Sequence, residues 1–297
     1  MIKSGFVSIV GRPNVGKSTL LNSIVGKKIA ITSNKPQTTR NRIMGVYNDS
    51  ESQIVFMDTP GIHKSNSVLG DVMNQTATKS MKDVEIVIYL VDLKPFLEEL
   101  DLKIIENINS KKNVVKCLVV NKADTAKSKK DIDKIVDMYK EHLNVENVII
   151  MSALEQKNVD LLISFLKDNL DFGPKYFPDD QITDHPEKFL ISEIVREKIL
   201  MLTKEEVPHS VAVVVEDLQK FEKKLEARIE IICERDSQKK IIIGHNGEMI
   251  KKIKEMSARD LYQLLHLRAK LDLWVRIKSD WKNKMLDLRN FGYDNRD

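Results

Sequence analysis

Gly11-Arg-Pro-Asn-Val-Gly-Lys-Ser18, followed by Thr19, has the spacing G-x-x-x-x-G-K-[ST] that wraps a backbone around phosphates. Glycines at 11 and 16 let successive N–H groups of Arg12, Pro13, Asn14, Val15 and their neighbours (all but the proline) turn inward, an anion nest at a helix N-terminus. Lys17 adds a fixed positive charge for the β- and γ-phosphates, and the Ser18 hydroxyl suits Mg²⁺. Asp58-Thr-Pro-Gly61 ends an apolar run, where Asp58 is a candidate to hold Mg²⁺ through water and the Gly61 N–H to meet the γ-phosphate. Thr39, within Thr38-Thr-Arg40, is positioned to complete the Mg²⁺ shell when a γ-phosphate is present. Seen alone, the Asp58 segment reads as an ordinary turn and Thr39 as a surface polar group; their place in the set gives them the other role.

Asn121-Lys-Ala-Asp124 carries an argument about the base. A carboxylate only accepts hydrogen bonds, so Asp124 matches the two N–H donors on the guanine edge, where adenine presents an acceptor. The wrong base would leave a buried acceptor unpaired. Asn121 is expected to tie the loops together, the Lys122 stem to cover the base, and Ser152-Ala153 to supply a backbone donor to the guanine carbonyl. Ile62 follows Gly61 where Ras-type GTPases carry the glutamine that orients water, so intrinsic turnover should be slow. Arg12 and Arg40 are the nearby arginines, and both read as solvent-facing loop residues.

A second constellation, Ile241-Ile-Ile-Gly-His-Asn-Gly247-Glu-Met-Ile250, holds a G-x-x-G of the kind that clamps a nucleic-acid backbone. Lys239, Lys240, Lys251, Lys252 and Lys254 flank it and could neutralise phosphates. Gly244, His245, Asn246 and Gly247 would form the clamp, with Ile243 and Ile250 in the groove beneath the bases.

The elements that must position these residues follow from periodicity. Short apolar runs at 6–10, 42–47, 53–57, 84–91, 114–120 and 148–151 predict strands, the second and third joined as a hairpin by a polar turn. Helical spacing at 17–25, 97–109, 131–142 and 159–170 predicts the crossovers of a mixed, mostly parallel sheet. Gly, Pro and polar residues collect at 171–180, giving a first domain over 1–172, a linker over 173–185 and a second domain over 186–290. In that second part a helix (187–202), two strands (210–216, 228–234), two helices either side of Met256-Ser257 and a strand (271–278) predict a smaller α+β domain.

Composition agrees with an ordered protein: 42% hydrophobic and 31% charged over 297 residues. No run reaches the length of a membrane span and no secretory leader is recognisable, which reads as cytoplasmic. Cys117 and Cys233 are too isolated for a metal site and read as buried thiols. Residues 219–290 hold 18 Lys and Arg against 11 Asp and Glu, although the whole chain is only +4, so an anionic partner is expected at that end.

The ordered set resembles the translation-factor-related GTPases, and Pro36-Gln-Thr-Thr-Arg40 with Asp58-Thr-Pro-Gly-Ile-His63 resembles the Era family. The likeness continues through Val195-Arg-Glu-Lys-Ile-Leu200, Glu234-Arg-Asp-Ser-Gln-Lys-Lys240, Leu271-Asp-Leu-Trp-Val-Arg-Ile-Lys278 and Asp280-Trp-Lys-Asn283. It implies an α/β P-loop GTPase domain followed by a type II KH domain, GTP/GDP and Mg²⁺ as ligands, and Asn14, Lys17, Thr39 and Gly61 as the catalytic set. Asn14 is implied to hold a K⁺ ion beside the phosphates, shaping the loop being the plainer alternative. The implied partner is the 3′ end of 16S rRNA in the 30S subunit, with no stable homo-oligomer required. One departure stands out: Era-like clamps commonly carry lysine between the glycines, and this chain has His245 and Asn246. The competing reading is a regulatory GTPase whose basic end meets anionic lipid on the inner membrane face. The clamp argues for RNA, because a headgroup needs none.

Overall fold

The computed structural model describes residues 1–33, 35, 38–61, 65–81 and 83–293. Two compact units emerge: Met1–Ala30, Thr39–Lys64 and Met73–Asp184 form one, while Ile31–Thr38, Ser65–Val72 and His185–Asp297 form the other.

In the first unit come β1 (Ile2–Val10), α1 (Lys17–Val25), β2 (Ile43–Asn48) and β3 (Ser52–Asp58), and then α2 (Val68–Lys79), which crosses the division between units. β4 (Ile86–Val91), α3 (Glu99–Asn109), β5 (Val115–Val120), α4 (Lys129–Lys140), β6 (Asn147–Ile150), α5 (Val159–Asp168) and β7 (Phe172–Gly173) follow. The sheet order is β2-β3-β1-β4-β5-β6, with β2 antiparallel to β3 and β7 a short antiparallel partner of β1. Every residue of β3 and β4 is buried, as expected for strands covered on both faces. Because β1, β4 and β5 run parallel, their C-terminal ends and the loops leaving them open on one edge of the sheet, where such folds bind ligands.

The 173–184 segment, read from sequence as a linker, is tied to the sheet edge. Gln53 Oε1 accepts the N–H groups of Tyr176 and Phe177, at 2.6 and 3.0 Å, and Val46 N donates to Ile182 O. An edge strand has backbone groups to satisfy, and this segment satisfies those of β2. α2 has no counterpart in the sequence reading, since Gly70 and three threonine or asparagine residues dilute its apolar face of Leu69, Val72, Met73 and Ala77.

The second unit contains α6 (Glu187–Leu202), β8 (Ala212–Lys220), β9 (Lys224–Cys233), α7 (Asp236–Ile243), α8 (Glu248–Leu265), β10 (Arg268–Ile277) and α9 (Met285–Asn290). Its sheet runs β10-β9-β8, parallel across the first pair and antiparallel across the second. The helical break expected at Met256-Ser257 lies instead at Gly244–Gly247. Ser257 is buried on the i, i+4 stripe Ile253, Ser257 and Leu261, so it continues the core-facing side of α8. Trp281 is fully buried, stacks near Tyr293 and donates its Nε1–H to Ser210 O at 3.1 Å. Cys117 and Cys233 are both buried free thiols. Among the described residues no helix is long and apolar enough to cross a membrane.

Candidate functional site

Where β1 hands over to α1, Gly16 adopts a φ of 107°, and a Cβ there would meet Asn121 Nδ2 at 2.3 Å. Only glycine accepts both conditions. Asn121 is buried and binds three segments: its Nδ2 donates to Val15 O at 2.8 Å, its Oδ1 accepts the Ala153 N–H at 2.9 Å, and its own N–H reaches Val91 O. Lys17 Nζ donates to the carbonyls of Gly11 and Arg12 at 3.0 and 2.8 Å, and Lys122 Nζ to Asn14 O at 2.7 Å. The phosphate loop and the Asn-Lys-x-Asp loop are therefore one bonded assembly.

At the first turn of α1, the Ser18 hydroxyl donates to Asp58 Oδ2 at 2.7 Å and lies 2.9 Å from Thr39 Oγ1. Having given its proton to Asp58, Ser18 accepts from Thr39. Asp58 Oδ1 is buried without a hydrogen bond, an orphaned acceptor of the kind a hydrated cation satisfies. Burial lowers the Lys17 pKa to about 8, with Asp58 resisting, and burial raises Asp58 to about 6, with Lys17 and Ser18 resisting. Gly61 runs against the loop, for a Cβ on it would meet Pro13 N at 2.8 Å. Ile62 lies outside the described residues, as do His63, Pro36 and Gln37.

Asp124 sits in a short 3₁₀ turn, Ala123–Thr125, and is exposed at the mouth of the site. Ser152 and Ala153 are buried beside it in the chain path, since Ala123 N donates to Met151 O at 3.1 Å. No group of three His, Cys, Asp or Glu suited to a metal occurs among the described residues. Ser18, Thr39 and Asp58 bring together two hydroxyls and one carboxylate, hard oxygen donors of the kind Mg²⁺ takes.

In the second unit Gly244 closes α7 at φ 76°, and a Cβ there would meet Met249 N at 2.8 Å; Gly247 opens α8 at φ 80° with nothing within 4 Å. Between them Asn246 is left-handed at φ 48°, and its Nδ2 lies 3.2 Å from His245 Nε2. Ile243 and Ile250 are half-buried against the core, while Lys240, Lys251, Lys252 and Lys254 are exposed and Lys239 partly so. Asp236 pairs with Lys240 at 2.8 Å and dilutes that one charge.

Residues 6–122 match the family model described as 50S ribosome-binding GTPase, and residues 206–282 match the KH domain model. Among solved structures, the chain is similar to a point variant of Era from Aquifex aeolicus bound to GDP and AlF4⁻. Identity is 38%, TM-score 0.93, and coverage 98% of this chain and 99% of that one. A structure of Era with MgGDPNP and nucleotides 1506–1542 of 16S ribosomal RNA matches at 38% identity and TM-score 0.93, covering 99% of both chains. The chain belongs to the Era family.

As an Era-family GTPase it has a P-loop domain and a KH domain, and the sequence reading of those two classes stands. Its arginines are the correction. Arg12 and Arg40, expected to face solvent, are only 7% and 2% exposed. Arg12 is drawn inward by Asp101 at 3.0 Å, Asp92 at 3.3 Å and Glu98 at 3.5 Å. Burial opposes its charge, and these carboxylates with Tyr139 more than offset that, raising its pKa above the ordinary value. Asp92, Glu98, Asp101, Tyr89 and Tyr139 belong to no motif, and only chain folding brings them to the phosphate loop.

Proposed function

We propose that this Era-family GTPase is a slow GTP-driven switch that binds the 3′ end of 16S rRNA through its KH domain and assists assembly of the 30S subunit. The observation that carries the nucleotide half is the meeting of Ser18, Thr39 and Asp58 within 2.9 Å at the N-terminus of α1. In this reading the backbone of Gly11 to Thr19 cradles the phosphates, and Lys17 keeps the Arg12 carbonyl while its other two donors turn to the β- and γ-oxygens. Mg²⁺ would be held by Ser18, Thr39 and, through water, Asp58, and would supply Lewis-acid charge to the phosphates. Phosphate and Mg²⁺ together favour charged Lys17 and charged Asp58, reversing the effect of burial on each. Asp124 selects guanine, and the Lys122 stem with the Ser152-Ala153 loop encloses the base. Gly61 N–H meets the γ-phosphate.

For the RNA half, Gly244 to Gly247 admits the backbone closely, Ile243 and Ile250 floor the groove, and Lys239, Lys240 and Lys251 neutralise phosphates. The structurally related Era with bound 16S nucleotides supports the choice of RNA over lipid. The test is the affinity of a single-stranded oligonucleotide carrying the small-subunit rRNA 3′ sequence, in GTP or GDP, for wild type and Gly247→Asp. Position 247 has open space but a φ of 80°, a left-handed backbone that Asp tolerates better than most residues, so the variant sets a carboxylate against phosphate and its melting is compared with wild type to confirm the fold. A large loss of affinity is expected, and unchanged affinity rejects the KH assignment.

A further inference from the structure

Arg12 stands inside the phosphate loop, yet all three of its nitrogens are committed away from any phosphate. Nε meets Asp101 at 3.0 Å, and the two terminal nitrogens meet Asp92 at 3.3 Å and Glu98 at 3.5 Å. Asp101 is fully buried at the start of α3, and both of its oxygens are used. Oδ1 also accepts the hydroxyls of Tyr89 at 2.9 Å and Tyr139 at 3.3 Å, while Oδ2 accepts the Glu98 N–H at 2.9 Å. The main chain of Arg12 has a second duty, because its carbonyl accepts from Lys17 Nζ at 2.8 Å. Asp92 continues the chain to Lys122 at 3.4 Å, whose Nζ binds Asn14 O.

We propose that Asp101 is a positioning residue for GTP binding: by gripping the Arg12 side chain it fixes the backbone of residues 12–14, and with it the carbonyl that aims Lys17. This rests on the nucleotide reading above. A guanidinium forked by carboxylates is directional, so it sets the rotation of residue 12 as well as its location. A carboxylate that accepts four donors cannot swing to compensate for a displaced partner. α3, which touches no nucleotide in this reading, thereby determines the aim of the phosphate lysine. Because Lys17 serves bound GDP, bound GTP and the transition state alike, loss of the grip should raise KM and leave kcat nearly unchanged.

Two variants test this, with GDP dissociation, the kcat and KM of GTP hydrolysis, and melting without nucleotide as readouts. Asp101→Asn keeps the shape and loses the charge. Arg12→Met with Asp101→Leu removes both charges together, so neither partner is left as an uncompensated buried charge, while melting reads the cost of stranding the Tyr89 and Tyr139 hydroxyls and the Glu98 N–H. Asp92 then retains Lys122, and Glu98 retains Lys94. Both variants should release GDP about tenfold faster and raise KM about tenfold, the scale of one weakened hydrogen bond to a charged group, with kcat within about twofold. If the apolar pair binds and hydrolyses GTP like wild type, or if Asp101→Asn lowers the melting temperature with KM unmoved, Asp101 is merely structural. Wild type that bound no guanine nucleotide would overturn the underlying reading too.

Discussion

Asn14 is one of the few non-glycine residues with positive φ, 66°, and its carbonyl is held by Lys122. Neither of the two loop arginines is placed as a finger, since Arg12 is held by carboxylates and Arg40 is buried. Beyond the Lys17 charge that ground state and transition state share, charge developing between the β- and γ-phosphates must then be met by Mg²⁺ and whatever ion the loop admits. Hydrolysis by wild type should be several-fold faster in potassium than in sodium, and Asn14→Ala should lose the difference while still binding GDP. Equal wild-type rates in the two salts would remove Asn14 from the catalytic set. Asp124 supports a second prediction at this scale. Inosine triphosphate lacks the exocyclic amine, so it offers the carboxylate one donor where guanine offers two. Wild type should bind GTP at least about tenfold more tightly than ITP, as a charged hydrogen bond of roughly 1.5–3 kcal/mol implies. Asp124→Ala should bind both equally weakly. A preference for GTP persisting in Asp124→Ala would move base selection elsewhere.

Among elements, the β2–β3 hairpin depends on one side chain. Asp49 Oδ1 accepts the N–H groups of Glu51 and Ser52 at 2.9 and 2.8 Å and the Ser52 hydroxyl at 3.0 Å; Oδ2 takes Tyr47 OH and an ion pair from Lys167 of α5. Burial alone would raise its pKa, but Lys167 and these donors outweigh burial and hold it well below the usual carboxylate range. A depressed folded pKa contributes stability that is complete above the unfolded value and disappears as pH falls through the folded one. Urea unfolding should therefore find Asp49→Ala less stable by about 1–2 kcal/mol at pH 7, with the gap narrowing below about pH 4. A gap that held steady down to pH 2 would mean that the loss is not electrostatic. The hairpin itself was legible, because a polar turn between two apolar runs is a local pattern, and so were α1 and α6, whose predicted bounds match. Motif spacing likewise singled out Lys17, Ser18, Asp58 and Asn121, which the fold gathers into hydrogen-bonded contact around one loop. Illegible were the partnerships that folding alone creates: Arg12 with Asp101, 89 positions away, and Gln53 with Tyr176. Helix breaks also misled, since Ser257 looks like punctuation until its burial shows it facing the core.

At the scale of the whole molecule, the two units carry separate hydrophobic cores. One is built around Tyr89, Leu118, Val120 and Tyr139, the other around Ile191, Val195, Ile229, Ile231 and Leu261. Separate cores make separate cooperative transitions the expectation, and each proposed ligand belongs to one of them. A ligand that binds only the folded form stabilises it by about 2.7 kcal/mol at a hundred times its Kd. For domains of this size that is a shift of roughly 5–15 °C, well within calorimetric resolution. Mg²⁺ with GDP should move only the transition of the P-loop unit. The rRNA oligonucleotide should move only that of the KH unit, and its shift should shrink with added salt as released counterions oppose binding. Gly247→Asp serves as the control that abolishes the second shift and leaves the first. If GDP instead moved both transitions equally in wild type, or the scan held one transition displaced by either ligand, the units would unfold together. Nucleotide and RNA binding would then act on one global equilibrium, and with both ligands present their stabilisations would add unless the two sites are coupled in the folded state.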